Sequence, residues 1–147
     1  MSLFRRLLVR LPVQPRRRAP SLGRRGERAA AAYLRTQGYR VTGRNIRLAM
    51  GEIDLLAETP DRRTLVVVEV KSRIASDGDP ARLPERAITA AKRRKLVSLA
   101  RAIKRMRGNE GRPLRIDVVA VEFNAGAGGA SEIRHYPNAI DAAGGLV

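Results

Sequence analysis

The sequence predicts a single α/β domain, a mixed sheet flanked by helices, with elements in the order helix, three strands, helix, strand. Three observations predict it. Helical and strand-like patterns alternate along the chain; a Pro-Asp turn joins two apolar runs as a hairpin would; and a long basic helix leads to the last confident strand, a path that suits a parallel crossover. At 147 residues the chain has length for one core and little more. It is 44% hydrophobic but only 3% aromatic, without tryptophan, so an aliphatic, alanine-rich core is expected and aromatic platforms for stacking single strands are not.

The charge narrows the partner. A net charge of +16 and a pI near 11.7 favour a polyanion, nucleic acid first and an anionic membrane surface second. The absence of cysteine excludes disulfides, thiolate zinc sites and cysteine nucleophiles, and agrees with a cytoplasmic location. The single histidine, His135, argues against a histidine-built metal site. No apolar run approaches the roughly 18 residues needed to span a bilayer, and arginines interrupt every apolar stretch of "MSLFRRLLVRLPVQPRRRAP", against a secretory signal.

Residues 1–20 read as a basic, disordered arm broken by Pro12, Pro15 and Pro20, in which Arg16, Arg17 and Arg18 supply charge for phosphates; residues 21–147 form the domain. Ser21 is placed to cap a helix that runs through "AAAA" and stops at Gly38. Glu27, Ala30, Ala31 and Leu34 fall on one side of it, which aligns Glu27 with the inward stripe; the alternative for Glu27 is an acid favoured in the first turn by the helix dipole. Strands follow at "YRV" to "IRLA" with Gly43 as a break, at "EIDLLAE" and at "TLVVVEV". Ile53, Leu55 and Ala57 should share one face of the second strand, and Glu52, Asp54 and Leu56 the other. A hairpin folded around Asp61 and Arg62 would bring Asp54 close to Glu69.

The next helix is expected from Pro84 to Arg107, with Gly108 as its stop and Ile88, Ala91, Leu96, Leu99, Ile103 and Met106 as its apolar stripe. Lys92, Arg93, Arg94 and Lys95 crowd the rest of its surface without interleaved acids, which points to nucleic-acid contact. "LRIDVVAVEF" is the last confident strand, and "EIRHYPNAI" is ambiguous.

The stretch "VVVEVKSR" carries the chemistry. Val66, Val68 and Val70 share one face, while Val67, Glu69 and Lys71 share the other, which sets an acid and a cation about 7 Å apart along the backbone. Together with Asp54 and Glu27 this makes three carboxylates and a lysine; the carboxylate oxygens are hard ligands that suit magnesium or manganese. Asp54 and Glu69 are the expected metal ligands, with the Val70 carbonyl as a further one, and Glu27 acting through water or a second ion. Lys71 would neutralise the acids, and beside a substrate would position water or stabilise charge at phosphorus.

The segments "GERAAAAYLRTQGYRV", "GRNIRLAMGEIDLLAE", "LVVVEVKSR", "ERAITAAKRRKL" and "IDVVAVE" together resemble the YraN-like family of bacterial proteins, over roughly residues 22–140. That family's similarity to archaeal Holliday-junction resolvases places it in the PD-(D/E)xK nuclease superfamily. The resemblance implies a restriction-endonuclease-like αβββαβ core, with Glu27, Asp54, Glu69 and Lys71 matching the helix acid, the strand acid and the E-x-K motif. Arg93 departs from the glutamine expected after Lys92. The implied activity is magnesium-dependent cleavage of branched or structured DNA, with a homodimer suggested only by analogy to resolvases. A binding module that retains the nuclease fold without catalysis is the competing reading, and membrane association through the arginine-rich start is a third. Asp117 is expected to partner a buried arginine, or to support the site. Glu52 is read as a strand-edge or turn residue that could order Asp54. His135 is read as exposed or packing, with no orienting acid at recognisable spacing.

Overall fold

The computed structural model describes residues 19–75, 88–126 and 128–147. Arg16, Arg17 and Arg18 lie outside the described residues, as does the expected helix start at Pro84. Helix α1 (Leu22–Thr36) is followed by strands β1 (Arg40–Leu48), β2 (Gly51–Glu58) and β3 (Leu65–Ala75). Helix α2 (Ala90–Lys104) then leads to β4 (Leu114–Asn124) and β5 (Ala130–Ile140). The strands form one sheet in the order β1-β2-β3-β4-β5, with β3 and β4 parallel and the other neighbours antiparallel. The result is an α/β fold with helices flanking a mixed sheet, consistent with a restriction-endonuclease-like core.

The two helices cover opposite faces. Ala30, Ala31 and Leu34 of α1 pack on Leu55, Val66, Val68, Val119 and Val121, while Leu96, Leu99 and Ile103 of α2 pack on Val67, Ile116 and Val118. The alternation along β3 therefore sends Val66 and Val68 toward α1 and Val67 toward α2, with Glu69 and Lys71 in phase with Val67. α1 begins as expected, Ser21 Oγ accepting the Arg24 N–H at 3.4 Å, and the chain leaves it through Gly38 at φ +85°. It lies close on the sheet at Gly26, where a Cβ would overlap the Ser72 side chain.

Two expectations are corrected, and one ambiguous segment is resolved. The described part of the basic helix is shorter than predicted: Thr89 is its cap, accepting the Lys92 N–H at 3.2 Å, and it ends at Lys104. Ile88 therefore precedes the helix, though it is still buried, and Met106 lies past the helix end and is exposed. Ile53 does not share the side of Leu55 and Ala57: it joins the cluster under α2, beyond the last β2–β3 pair, Leu55↔Val68, where β2 is paired with β1 alone, Ile53 opposite Ile46. "EIRHYPNAI" belongs to a full strand, β5, whose Pro137 is tolerated because the strand is an edge.

Candidate functional site

The β2–β3 hairpin turns through Thr59–Thr64 and pairs as far as Leu55↔Val68, so Asp54 and Glu69 are the next residue of each strand beyond the last pair. The backbone ladder does not continue there. Instead Asp54 Oδ2 accepts the Val70 N–H at 2.8 Å, so a side chain takes the place of a strand carbonyl. The acid is thereby anchored to the neighbouring backbone, and Val70 meets Asp54 through its amide.

Glu69 is only 2% exposed. Lys71 Nζ lies 3.0 Å from its Oε1, and Lys92 Nζ, reaching from α2, lies 3.3 Å from its Oε2. Oε2 nevertheless accepts no hydrogen bond, so Lys92 contributes charge rather than a directed donor. Burial, and next the negative charge of Glu69, push the Asp54 carboxyl from an ordinary 3.8 up to about 6, against the lowering effects of the Val70 N–H and Lys92. Two acids held together in a half-dry place, one with a raised pKa and the other with an unmet oxygen lone pair, form a donor set suited to a hard cation. Asp54 and Glu69 are the two side chains that could hold such a cation.

Glu27 stands apart. It lies beyond the first turn of α1, so dipole preference does not account for it, and its Oε2 accepts from Asn45 Nδ2 of β1 at 2.9 Å. Its charge still reaches Asp54, as the weakest of the influences that raise it. Among the described residues no three acidic or histidine side chains lie close enough to hold one ion together, so Glu27 does not complete a three-carboxylate cage. Glu52 is exposed and pairs with Arg47 at 3.6 Å, making no bond to Asp54.

The basic stretch on α2 divides by what its side chains touch. Lys92 belongs to the acid pair. Arg93 is committed internally, its Nε donating to the Gly144 carbonyl and its Nη1 to that of Ile88, each at 2.8 Å, so it ties the C-terminal segment to the start of α2. Arg94 and Lys95 are exposed. Sequence reasoning missed a second basic group, Arg24, Arg28, Arg44 and Arg47, around Glu27; their spacing on a helix and a strand gives no local signal that they meet.

Asp117 is fully buried and holds four groups: Arg115 Nε at 2.9 Å and Nη2 at 3.1 Å, His135 Nε2 at 2.8 Å, and the Asn138 N–H at 2.9 Å. The structural role expected for Asp117 is the one its contacts describe. The reading of His135 needs correction, since it does have an orienting acid, supplied across the β4–β5 pair. Its ring also stands edge-on to those of Tyr33 and Tyr39. Arg115 Nη2 donates to Tyr39 Oη at 2.6 Å, which closes this network on the α1 face, away from Glu69 and Lys71. Among the described residues no helix is long and apolar enough to cross a membrane.

A family model described as "Uncharacterised protein family UPF0102" matches residues 26–121, the span that contains Glu27, Asp54, Glu69 and Lys71. The UPF0102 protein STH1475 of Symbiobacterium thermophilum is 44% identical, covering 82% of this chain and 97% of its own length. A UPF0102 protein of Syntrophotalea carbinolica is 40% identical, covering 84% and 94%. A solved structure of SfsA from Pyrococcus furiosus, in complex with Ca2+, covers 74% of this chain and 58% of its own at 15% identity and a TM-score of 0.30, too loose a likeness to inform fold or function. With matches of this extent across the whole site-bearing core, the chain belongs to the UPF0102 family.

Proposed function

We propose that this protein is a metal-dependent endonuclease of the PD-(D/E)xK type that hydrolyses phosphodiester bonds in nucleic acid, with branched or structured DNA as its substrate class. The observation that carries the reading is the Asp54–Glu69 pair: two acids brought together where β2 leaves β3, in a chain of net charge +16. Carboxylates directed at a negative substrate call for positive charge between them, which a bound cation would supply beyond Lys71 and Lys92.

Asp54 and Glu69, with the Val70 carbonyl, would hold a magnesium or manganese ion, and the chemistry such an ion supplies is charge neutralisation at the phosphate and a more acidic bound water. The remaining work falls to side chains. Lys71, now 3.0 Å from Glu69 Oε1, is free to turn toward the phosphate, where its ammonium stabilises charge developing on oxygen and orients the attacking water. Lys92 balances Glu69 from the other side. Glu27, held by Asn45, orders water on the α1 side of Asp54.

A second reading is a binding module without catalysis, and one observation favours it: both Glu69 oxygens already face an ammonium group, so the acids are partly balanced without an ion. One experiment separates the two. Purified wild type and the Asp54→Ala, Glu69→Ala and Lys71→Ala variants are incubated with labelled four-way junction, flap, duplex and single-stranded DNA in magnesium, manganese or chelator. Cutting that needs the metal and is lost in all three variants is the expected result. Binding without cutting, alike in all four proteins, would replace the endonuclease by the module.

A further inference from the structure

Two clefts meet over the N-terminal end of α1. One, of about 610 Å³, lies between α1 and β1 and is lined by Arg24, Arg28, Arg44 and Arg47 around Glu27. The other, of about 730 Å³, lies between α1 and the β4–β5 connection, with Arg25 and Arg28 facing Gly126, Gly128 and Gly129. Pro20 and Arg28 line both.

The charges here are unfavourably placed for folding alone. Arg24 and Arg28 are one turn apart on the same side of α1, near the end where the helix dipole repels cations, and the first turn carries no acid. Arg24, Arg28 and Arg44 are exposed and have no ion pair among the described residues. The two acids of the first cleft are occupied, Glu27 by Asn45 and Glu52 by Arg47. Asn45 adopts φ +49°, a left-handed conformation that asparagine tolerates, within a wall that sets Arg44 and Arg47 on either side of the bond to Glu27. In the second cleft the Arg25 guanidinium lies 4.4 Å from the centre of the Phe123 ring, which holds it at the wall.

We infer that the two clefts form a track for the phosphodiester backbone of one nucleic-acid strand, passing over the start of α1 and alongside Glu27. The inference rests on the nucleic-acid reading above and extends it. The track lies with α1, on the face of the sheet opposite α2, whereas Lys71 and Lys92 serve the α2 face. A substrate that engages both must pass from one face of the sheet to the other, past the edge that carries Asp54 and Glu69. A branch point does this without bending cost, and a straight duplex does not.

The test measures binding without cleavage. Anisotropy of labelled four-way junction and linear duplex DNA is followed across a salt series in chelator, for wild type, for Arg24→Gln/Arg28→Gln/Arg44→Gln, and for a control of equal charge, Arg63→Gln/Arg105→Gln/Arg107→Gln. Urea midpoints confirm that the exposed substitutions leave the fold intact. The track variant should lose on the order of 10- to 100-fold in junction affinity at low salt, and the slope of log K against log salt should flatten by about 2 to 3, near 0.9 for each phosphate contact removed. The control should keep the wild-type slope, and the loss should be greater for the junction than for the duplex. Equal losses in track and control variants, or none in either, would overturn the track while leaving the endonuclease proposal intact. Wild-type protein that binds neither DNA would overturn the nucleic-acid reading itself.

Discussion

Lys92 Nζ stands 3.3 Å from Glu69 Oε2, so the start of α2 is joined to β3 by an ion pair whose acid is buried and whose lysine side chain keeps 34% of its exposure. Removing the lysine leaves Lys71 as the only cation against Glu69 among the described residues. Lys92→Met is expected to destabilise the protein in chelator by about 1 kcal/mol, at the low end for a charged partner because solvent already screens the lysine. Magnesium should then raise the urea midpoint of the variant by more than that of wild type, since an ion replaces the missing charge. Equal magnesium responses would argue against an ion at Glu69.

Asp54 has its pKa raised on folding, to about 6 from 3.8. Protonation therefore favours the folded state. The penalty of an ionised Asp54 is absent below about pH 4, grows as pH rises to about 6, and is complete above that. Asp54→Asn, whose amide oxygen can still accept from Val70, should be more stable than wild type at pH 8 by up to about 3 kcal/mol in chelator. The difference should vanish at pH 4. Urea unfolding at the two values reads it directly, and a gain independent of pH would contradict the assigned cause.

Gly26 rests where a methyl group would overlap Ser72. Gly26→Ala should cost about 1–3 kcal/mol by forcing α1 away from β3, despite alanine's better helix propensity. Adding Ser72→Gly should return part of that loss. A double-mutant cycle with no coupling would mean that the two elements are not in register at this point.

Asp117→Ala removes the acceptor shared by Arg115, His135 and the Asn138 amide, and should cost at least about 3 kcal/mol. Its folded fraction should retain the metal dependence of any cleavage, since the network lies on the other face of the sheet from Glu69. Loss of cleavage at full stability would move Asp117 into the site.

Arg93→Ala should behave as a stability variant rather than a binding variant. It frees the Gly144 and Ile88 carbonyls and should cost about 1–3 kcal/mol, with faster hydrogen exchange in residues 141–147. The salt slope of DNA binding should stay that of wild type. A flatter slope would return Arg93 to the nucleic-acid surface where sequence spacing had placed it.

What is legible in the sequence divides by the distance between partners along the chain. The valine alternation of β3, the turn at Asp61 and Arg62, and the resulting approach of Asp54 to Glu69 are local or hairpin features, and the sequence carries them openly. Arg93 reads as a free cation because its acceptor, the Gly144 carbonyl, is 51 residues away. His135 reads as lacking an acid because Asp117 meets it only after β5 pairs with β4, and β5 itself is disguised by Pro137 and a Gly-rich approach. Charge patterns identify cations but not which of them folding will consume. Glu58 gives the clearest case: burial would raise its pKa, yet hydrogen bonds from Arg112 and Arg40 hold it below the usual range, which commits two arginines that composition alone assigns to a polyanion.

The amide of Val70 is held by a carboxylate instead of by another strand. Its resonance is therefore a reporter located one bond from the site, whose chemical shift and exchange rate follow the charge on Asp54 as protons or cations arrive. Titrating a labelled sample at that single amide would reveal occupancy of the acid pair without any substrate, product or turnover.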